Sequence, residues 1–541
     1  MQKPNLLQIK DLTIEFDGLL GNVTAVDGIS FELKKGETLG IVGESGSGKS
    51  ITSLSIMGLL PKAARLTSGE IIFHKNDHES IDLTKCSNKT LQRYRGEELA
   101  MVFQEPMTSL NPVFKCGDQV VEAISVHQKI NKQAAKQKAI AWFDRVKLND
   151  PIRIFDSYPH QLSGGQRQRV MIAMAMVLNP SVLIADEPTS ALDVTVQSSI
   201  LNLIKELKEK WDGSIIFISH DLSVIADVSD RVLVMQQGKI VESGPIDQVF
   251  RNPEHEYTKE LLKDFKDRTH TNSKVIEKNA PILSVQHLKT WFPGSKSFLG
   301  KEKAFVKAVN DVSLDIYEGE TLGLVGESGS GKTTLGRSIL RLEKPRGGEV
   351  IYDGNALHQL PDDGWKSMRR ELQIIFQDPY SSLNPRQMIG SAIMEPMKVH
   401  GIGKNEQERR TKTMELLMQV GLQEEHFWRF PKEFSGGQRQ RICIARALSV
   451  EPKFLICDEC VSALDVTVQS KILRLLQKLQ QEKNLTYLFI SHDLSVVRQI
   501  CDRIAVMKNG KIVEIGTTES IYLQPENDYT RHLIEAIPKW I

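Results

Sequence analysis

Apolar residues in this chain fall into two kinds of segment: short uninterrupted runs before glycine-rich turns, and longer stretches with helical spacing. Leu39-Gly-Ile-Val before Gly43 and Val182-Leu-Ile-Ala before Asp186 show no polar alternation. A strand covered on both faces has this pattern, whereas a half-exposed strand alternates. Buried parallel strands are predicted at both places. Val170, Met171, Met174, Val177 and Leu178 keep a 3.6-residue period, which predicts a helix following Ser163-Gly-Gly-Gln-Arg. Strands interleaved with helices predict an α/β core. No apolar run approaches the ~20 residues of a bilayer-spanning helix, and the segment after Met1 lacks the apolar core of a signal peptide.

The pattern occurs twice. Gly-Glu-Ser-Gly-Ser-Gly-Lys stands at 43–49 and 326–332, and Ser-Gly-Gly-Gln-Arg-Gln-Arg at 163–169 and 435–441. Ser-Ala-Leu-Asp-Val-Thr-Val-Gln stands at 190–197 and 462–469, and Ile-Ser-His-Asp-Leu-Ser-Val at 218–224 and 490–496. The last three pairs share an offset of 272 residues and the first has 283, so the first copy carries eleven extra residues after its glycine-rich loop. Length alone suggests three or four units for 541 residues; the duplication makes it two, 1–265 and 281–541. Residues 266–280 (KDRTHTNSKVIEKNA) are polar, without proline or aromatic residues, and read as a flexible linker.

Composition narrows the class further. Lys plus Arg is 69 and Asp plus Glu is 68, a net charge of +1, which argues against a chain-wide nucleic-acid footprint. The six cysteines are sparse and irregularly spaced, so a reducing cytosol is expected rather than a disulfide scaffold.

Gly43, Glu44, Ser45, Gly46, Ser47, Gly48, Lys49 and Ser50 match a phosphate-binding loop, as do Gly326, Glu327, Ser328, Gly329, Ser330, Gly331, Lys332 and Thr333. Glycines let successive N–H groups turn towards phosphate oxygens, and the following helix adds its positive end. Lys49 and Lys332 would reach the β- and γ-phosphates, and Ser50 and Thr333 would ligate Mg²⁺. Downstream, Asp186-Glu187 and Asp458-Glu459 end apolar strands. The first acid of each pair can hold Mg²⁺ and the second can orient or deprotonate a water. A single such pair would usually be a solvated strand end; two, each behind a phosphate loop, favour chemistry.

Ser163, Gly164, Gly165 and Gln166, and Ser435, Gly436, Gly437 and Gln438, each open a helix. With the arginine that follows, these resemble the signature motif of ABC-type ATPases, and the resemblance covers both copies. It implies two tandem phosphate-loop ATPase domains, each a RecA-like core with an antiparallel β subdomain and a helical subdomain. It further implies ATP and Mg²⁺ as cofactors and two composite sites, each phosphate loop facing the other copy's signature. Gln104 and Gln377 take the Q-loop position, touching Mg²⁺ and the water. His220 and His492 take the switch position, and Asp193 and Asp465 the D-loop. Phe16 and Phe292 follow the first strand of each copy and either stack on adenine or fill the core. The first copy reads Asp-Glu-Pro188-Thr189 where the second reads Asp-Glu-Cys460-Val461. Loss of proline frees a φ beside the catalytic acid, which predicts a slower second site. Cys457-x-x-Cys460 has redox or metal spacing, but no second cysteine pair accompanies it.

Glu-Pro-Met-Thr-Ser-Leu-Asn-Pro (105–112), Asp-Pro-Tyr-Ser-Ser-Leu-Asn-Pro (378–385) and Asn-Pro-Glu-His-Glu-Tyr-Thr-Lys-Glu-Leu-Leu (252–262) are similar to segments of bacterial peptide, opine and nickel importer ATPases. That resemblance implies two permease subunits and an external solute-binding protein as partners, with the chain on the cytoplasmic face of the inner membrane. It implies no nucleic-acid partner. The alternative is a soluble ABC ATPase acting on ribosomes, which would join its copies with a long basic helical arm.

Overall fold

The computed structural model describes residues 4–18, 21–76, 79–104, 109–190, 192–266, 280–294, 305–462 and 464–537. Two compact units divide the chain, one up to Lys263 and one from Asp264 to Ile537. Residues 267–279, most of the expected linker, lie outside the described residues.

Each unit contains two sheets. In the first, β1 (Asn5–Phe16), β2 (Val23–Lys34), β4 (Ala64–Asn76) and β5 (Glu79–Asp82) form an antiparallel sheet in the order β2-β1-β4-β5. The remaining strands are β3 (Thr38–Val42), β6 (Leu99–Val102), β7 (Val182–Asp186), β8 (Ser214–Ile218), β9 (Arg231–Gln236) and β10 (Lys239–Pro245). They lie in the order β10-β9-β3-β8-β7-β6, parallel except for the edge strand β10. Every residue of β3, β7 and β8 is buried, as the uninterrupted apolar runs at 39–42 and 182–185 require. The phosphate loop, the Asp186-Glu187 pair and His220 leave this sheet at the carboxyl ends of β3, β7 and β8, where open α/β sheets place ligands.

The second unit repeats the plan. Its antiparallel sheet is β12-β11-β14-β15, from β11 (Leu283–Phe292), β12 (Val306–Ile316), β14 (Gly347–Tyr352) and β15 (Asn355–Ala356). Its larger sheet is β16-β17-β18-β13-β19-β20, from β13 (Thr321–Val325), β16 (Leu372–Ile375), β17 (Phe454–Asp458), β18 (Thr486–Ile490), β19 (Arg503–Lys508) and β20 (Lys511–Thr517). The eleven extra residues can be located. Lys49 and Leu99 are 50 positions apart, against 40 for Lys332 and Leu372, so ten of the eleven fall around the β4–β5 hairpin.

Helices at 116–127, 132–145 and 151–156 intervene between β6 and the signature helix of the first unit. Their counterparts are helices at 389–399 and 406–419 and a 3₁₀ turn at 424–428. The signature helix runs Gly164–Met176, so Val177 and Leu178, expected inside it, lie just past its end. It is buried on several sides, Ile172, Ala173 and Ala175 included, because the parallel sheet and the helical insert both pack on it. Among the described residues no helix is long and apolar enough to cross a membrane.

Candidate nucleotide sites

The phosphate loops join β3 and β13 to helices beginning at Lys49 and Lys332. Gly43 has φ +157°, and a Cβ there would stand 2.1 Å from the carbonyl of Met235. Gly48 has φ +99° and lies against the carbonyl of Ala25. Only glycine meets both demands. Lys49 Nζ donates to the carbonyls of Gly43 (2.7 Å) and Glu44 (2.8 Å), and Lys332 to those of Gly326 (2.8 Å) and Glu327 (2.9 Å). Each ammonium is thus held in the mouth of its own loop. Ser45, Gly46, Ser328 and Gly329 form the exposed crest, while Ser47 and Ser330 are buried beneath it.

Ser50 Oγ donates to Asp186 Oδ1 at 3.1 Å and Thr333 Oγ1 to Asp458 Oδ1 at 3.0 Å. Ser53 adds a longer contact to Asp186 Oδ2 at 3.5 Å. Burial pushes Asp186 up to about 6 against the opposing bond from Ser50, and burial also raises Asp458. Among the described residues, Oδ2 of Asp458 is buried without a hydrogen-bond partner. A hydroxyl beside a buried carboxylate that lacks a full set of donors is a hard-oxygen donor set suited to a small divalent cation.

One residue further on, the backbone turns sharply. Glu187 and Glu459 have φ +46° and +47°, left-handed values that cost a non-glycine residue about 1 kcal/mol. Their N–H groups donate to the carbonyls of Ile218 (2.9 Å) and Ile490 (3.0 Å) on the neighbouring strands. The turn projects the side chain over the strand ends, where Oε2 of Glu187 meets three groups. Gln104 Nε2 donates at 3.1 Å, Ser190 Oγ donates at 2.7 Å, and His220 Nδ1 lies 3.1 Å away. Burial alone would raise the Glu187 carboxyl, but the His220 bond and charge, with Ser190, override it and hold the group down at about 2. Burial pulls His220 down and Glu187 pulls it up, and the carboxylate wins.

At the second site Gln377 Nε2 donates to Glu459 Oε2 at 2.7 Å and His492 Nδ1 lies 3.3 Å from it. Ser462, the counterpart of Ser190, donates instead to the backbone carbonyl of Glu459 at 3.0 Å. Glu459 is lowered and His492 raised by the same opposition of burial and pairing. The matching φ at both glutamates shows that replacing Pro188 by Cys460 leaves the turn intact. What differs is the serine hydroxyl, a feature that identical Ser-Ala-Leu-Asp sequences could not reveal.

The signature serines cap their own helices. Ser163 Oγ accepts from Gln166 N at 3.3 Å while Gln166 Oε1 accepts from Ser163 N at 3.0 Å. Ser435 and Gln438 repeat the reciprocal pair at 3.4 and 3.0 Å. Gly165 and Gly437 lie under the helices that follow Asp193 and Asp465: a Cβ would stand 2.6 Å from Val196 Cγ1 and 2.3 Å from Val468 Cγ1. Phe16 and Phe292 end β1 and β11, both half-buried, and Phe16 packs at the edge of the first core. Cys457 is buried in β17, and the neighbouring Cys460 thiol, with burial, pushes its thiol well above the ordinary value. All six cysteines are free thiols, and among the described residues no cluster of His, Cys, Asp and Glu could hold a metal unaided.

The sequence model described as ABC transporter matches residues 26–190 and 309–462. That of the oligopeptide/dipeptide transporter C-terminal region matches 241–290 and 513–540. The glutathione import ATP-binding protein GsiA of Salmonella choleraesuis (strain SC-B67) is 46% identical over 559 residues, 99% of this chain and 90% of that protein. Its namesake in Shigella sonnei (strain Ss046) is 47% identical over 561 residues, with the same coverage. A solved ATP-binding cassette, dimeric in a post-hydrolysis state with ADP and Pi, matches 44% of this chain and 99% of its own at 26% identity and TM-score 0.40. With two matching segments that each hold a phosphate loop, a strand-end acid pair and a signature helix, the chain belongs to the ABC transporter family, as an ATP-binding protein with two cassettes in one polypeptide.

Proposed function

We propose that this chain is the ATP-hydrolysing motor of a bacterial importer for peptides or closely related small solutes, a glutathione-like tripeptide being the first to test. The observation that carries the reading is the full set of nucleotide-facing groups in both halves, in a chain 46% identical over 99% of its length to a glutathione import ATP-binding protein. The match of both C-terminal regions to the oligopeptide/dipeptide transporter model supports import over the ribosomal alternative.

In this reading the nucleotide-facing groups are 43–50, Gln104, Asp186, Glu187 and His220 in the first half and 326–333, Gln377, Asp458, Glu459 and His492 in the second, with the signature residues 163–166 and 435–438 completing them. Ser50 with Asp186, and Thr333 with Asp458, would hold Mg²⁺, which when bound neutralises charge on the β- and γ-phosphates. Lys49 and Lys332 turn their donors from loop carbonyls to phosphate oxygens. Phe16 and Phe292 stack on adenine. Glu187 is ionised at neutral pH, with its Oε2 spent on His220, Gln104 and Ser190. Release of His220 towards the terminal phosphate takes one of the three partners from that oxygen and removes the main group that held the carboxyl down. Burial then raises its proton affinity as it must take a proton from water. The permeases take up the motion through the segments between Q-loop and signature, at the cytoplasmic face of the inner membrane, and a solute-binding protein delivers the cargo outside.

Affinity purification of the tagged chain from solubilised membranes tests this. Two polytopic permeases in near-stoichiometric amounts are expected; ribosomal proteins without a permease would overturn it. Glu187→Gln with Glu459→Gln should leave ATP bound but cut turnover by about 10²–10³-fold per site, or ~3–4 kcal/mol of barrier.

A further inference from the structure

The C-terminal motif of each half carries a tyrosine whose hydroxyl touches the phosphate loop. Tyr257 Oη accepts the backbone N–H of Glu44 at 3.1 Å, and Tyr529 Oη accepts that of Glu327 at 3.1 Å. Both rings are buried, 8% exposed. The partners are 213 and 202 residues apart in sequence, yet the contact is reproduced in both units to the same distance.

The tyrosines are themselves anchored. The carboxylate of Glu242 on β10 accepts the N–H groups of Glu254 (2.9 Å) and His255 (3.1 Å). Glu514 on β20 does the same for Glu526 (2.9 Å) and Asn527 (3.1 Å). Two residues on, the N–H of the tyrosine is capped by His255 Nδ1 at 3.2 Å in one half and Asn527 Oδ1 at 2.9 Å in the other. Different capping residues reach the same end, a tyrosine fixed at the start of a helix and aimed at the loop. In the second half Lys508 also lies 4.3 Å from the centre of the Tyr529 ring.

In the loop, the second residue is gripped at both ends. The N–H of Glu44 goes to Tyr257 and its carbonyl to Lys49 Nζ. Glu327 is held in the same way by Tyr529 and Lys332. A phosphate loop binds through N–H groups presented in one fixed array, and its flexible glycines make that array costly to order. A rigid acceptor at the second residue reduces this cost, because the loop is ordered before nucleotide arrives.

We infer that Tyr257 and Tyr529 are positioning residues for nucleotide binding, through which the C-terminal region of each half fixes the conformation of its phosphate loop. This rests on the ATPase reading above. The role belongs to the hydroxyl, acts on affinity rather than on chemistry, and is exercised in each half separately.

The test uses the full chain with Tyr257→Phe, Tyr529→Phe and both together, keeping the rings. One lost hydrogen bond is worth about 3- to 10-fold in affinity. KM and the dissociation constant for ATP should rise by that amount in the double variant while kcat at saturating ATP stays within about twofold. Hydrogen exchange in 43–50 and 326–333 should quicken, with the rest of the sheet unchanged. Glu242→Gln, which loosens the anchor and leaves ring and hydroxyl in place, should raise KM in the same direction by a smaller factor; it decides the matter if a tyrosine variant does not fold. Unmoved ATP affinity, whether or not the melting temperature falls, overturns the inference, as does a fall in kcat at constant KM. Wild-type chain that binds no ATP would instead sink the parent reading.

Discussion

Nδ1 of His220 lies 3.1 Å from Oε2 of Glu187, and the pairing shifts both groups in opposite directions. Its effect on stability follows from the signs. Glu187 titrates near 2 when folded, below the ordinary ~4.3, so its contribution is present above the ordinary value and lost as pH falls towards 2. His220 is raised, so its contribution is complete below ~6.5 and lost as pH climbs through the elevated value. The pair is intact at mildly acidic pH and fades on the alkaline side. His220→Ala removes the main counterweight to burial of Glu187. Residual ATPase activity should then lose its acidic limb at a higher pH than in the wild type. A pH–rate profile of kcat with the same acidic limb in both proteins would count against this coupling.

Asp186 has the opposite sign. Burial lifts it to about 6, so the folded state binds a proton the unfolded chain has released, and stability falls as pH rises from ~4 to 6. A shift of roughly two units corresponds to about 3 kcal/mol. Asp186→Asn should therefore raise the melting temperature at pH 7.5 in chelator, and should abolish the further gain expected of the wild type with Mg²⁺ and ATP. Thermal scans with and without Mg²⁺ and ATP check both halves of the expectation; a lower melting point in chelator would refute it.

Ser190 and Ser462 test the asymmetry between the sites. Ser190 donates to the Glu187 carboxylate, Ser462 to a backbone carbonyl. A hydrogen bond to a charged group is worth about 1.5–3 kcal/mol, a neutral one about 1. Ser190→Ala should lower kcat by at least about twofold more than Ser462→Ala, measured in steady state on otherwise identical chains. Equal effects would show that the difference in acceptor is without consequence.

Gly437 is helical, and propensity alone makes alanine better there by about 1 kcal/mol. Packing opposes this, because the added Cβ would stand 2.3 Å from Cγ1 of Val468, a stiff β-branched side chain. The clash should win. Gly437→Ala is expected to destabilise the chain and depress ATPase activity, and Val468→Ala in the same chain should restore part of both, with a coupling of about 0.5–3 kcal/mol. Additive losses in the double-mutant cycle would rule out this contact as the cause.

Much of this was legible in the residues. Apolar runs at 39–42 and 182–185 located two central strands, and the 272-residue repeat exposed the duplication. Glycine-rich loops and acid pairs named groups that gather at the strand ends, and the signature serines named the caps of two helices. What the sequence withheld was direction. Ser190 and Ser462 sit in the same eight-residue motif and bond different acceptors. The left-handed turn recurs at Glu187 and Glu459, each with its N–H bonded to the neighbouring strand, whether proline or cysteine follows. Tyr257 stood in a recognisable motif, but its partner is 213 residues away, beyond any local pattern.

The unequal serines beside Glu187 and Glu459 have a further consequence because both cassettes share one polypeptide. Two separately made subunits could pair like with like, and a population would then mix symmetric and asymmetric assemblies. Here the stoichiometry is fixed at one to one by translation itself. Every molecule therefore carries one carboxylate with three converging groups and one with two, and a single-turnover time course of hydrolysis should resolve into two phases of equal amplitude.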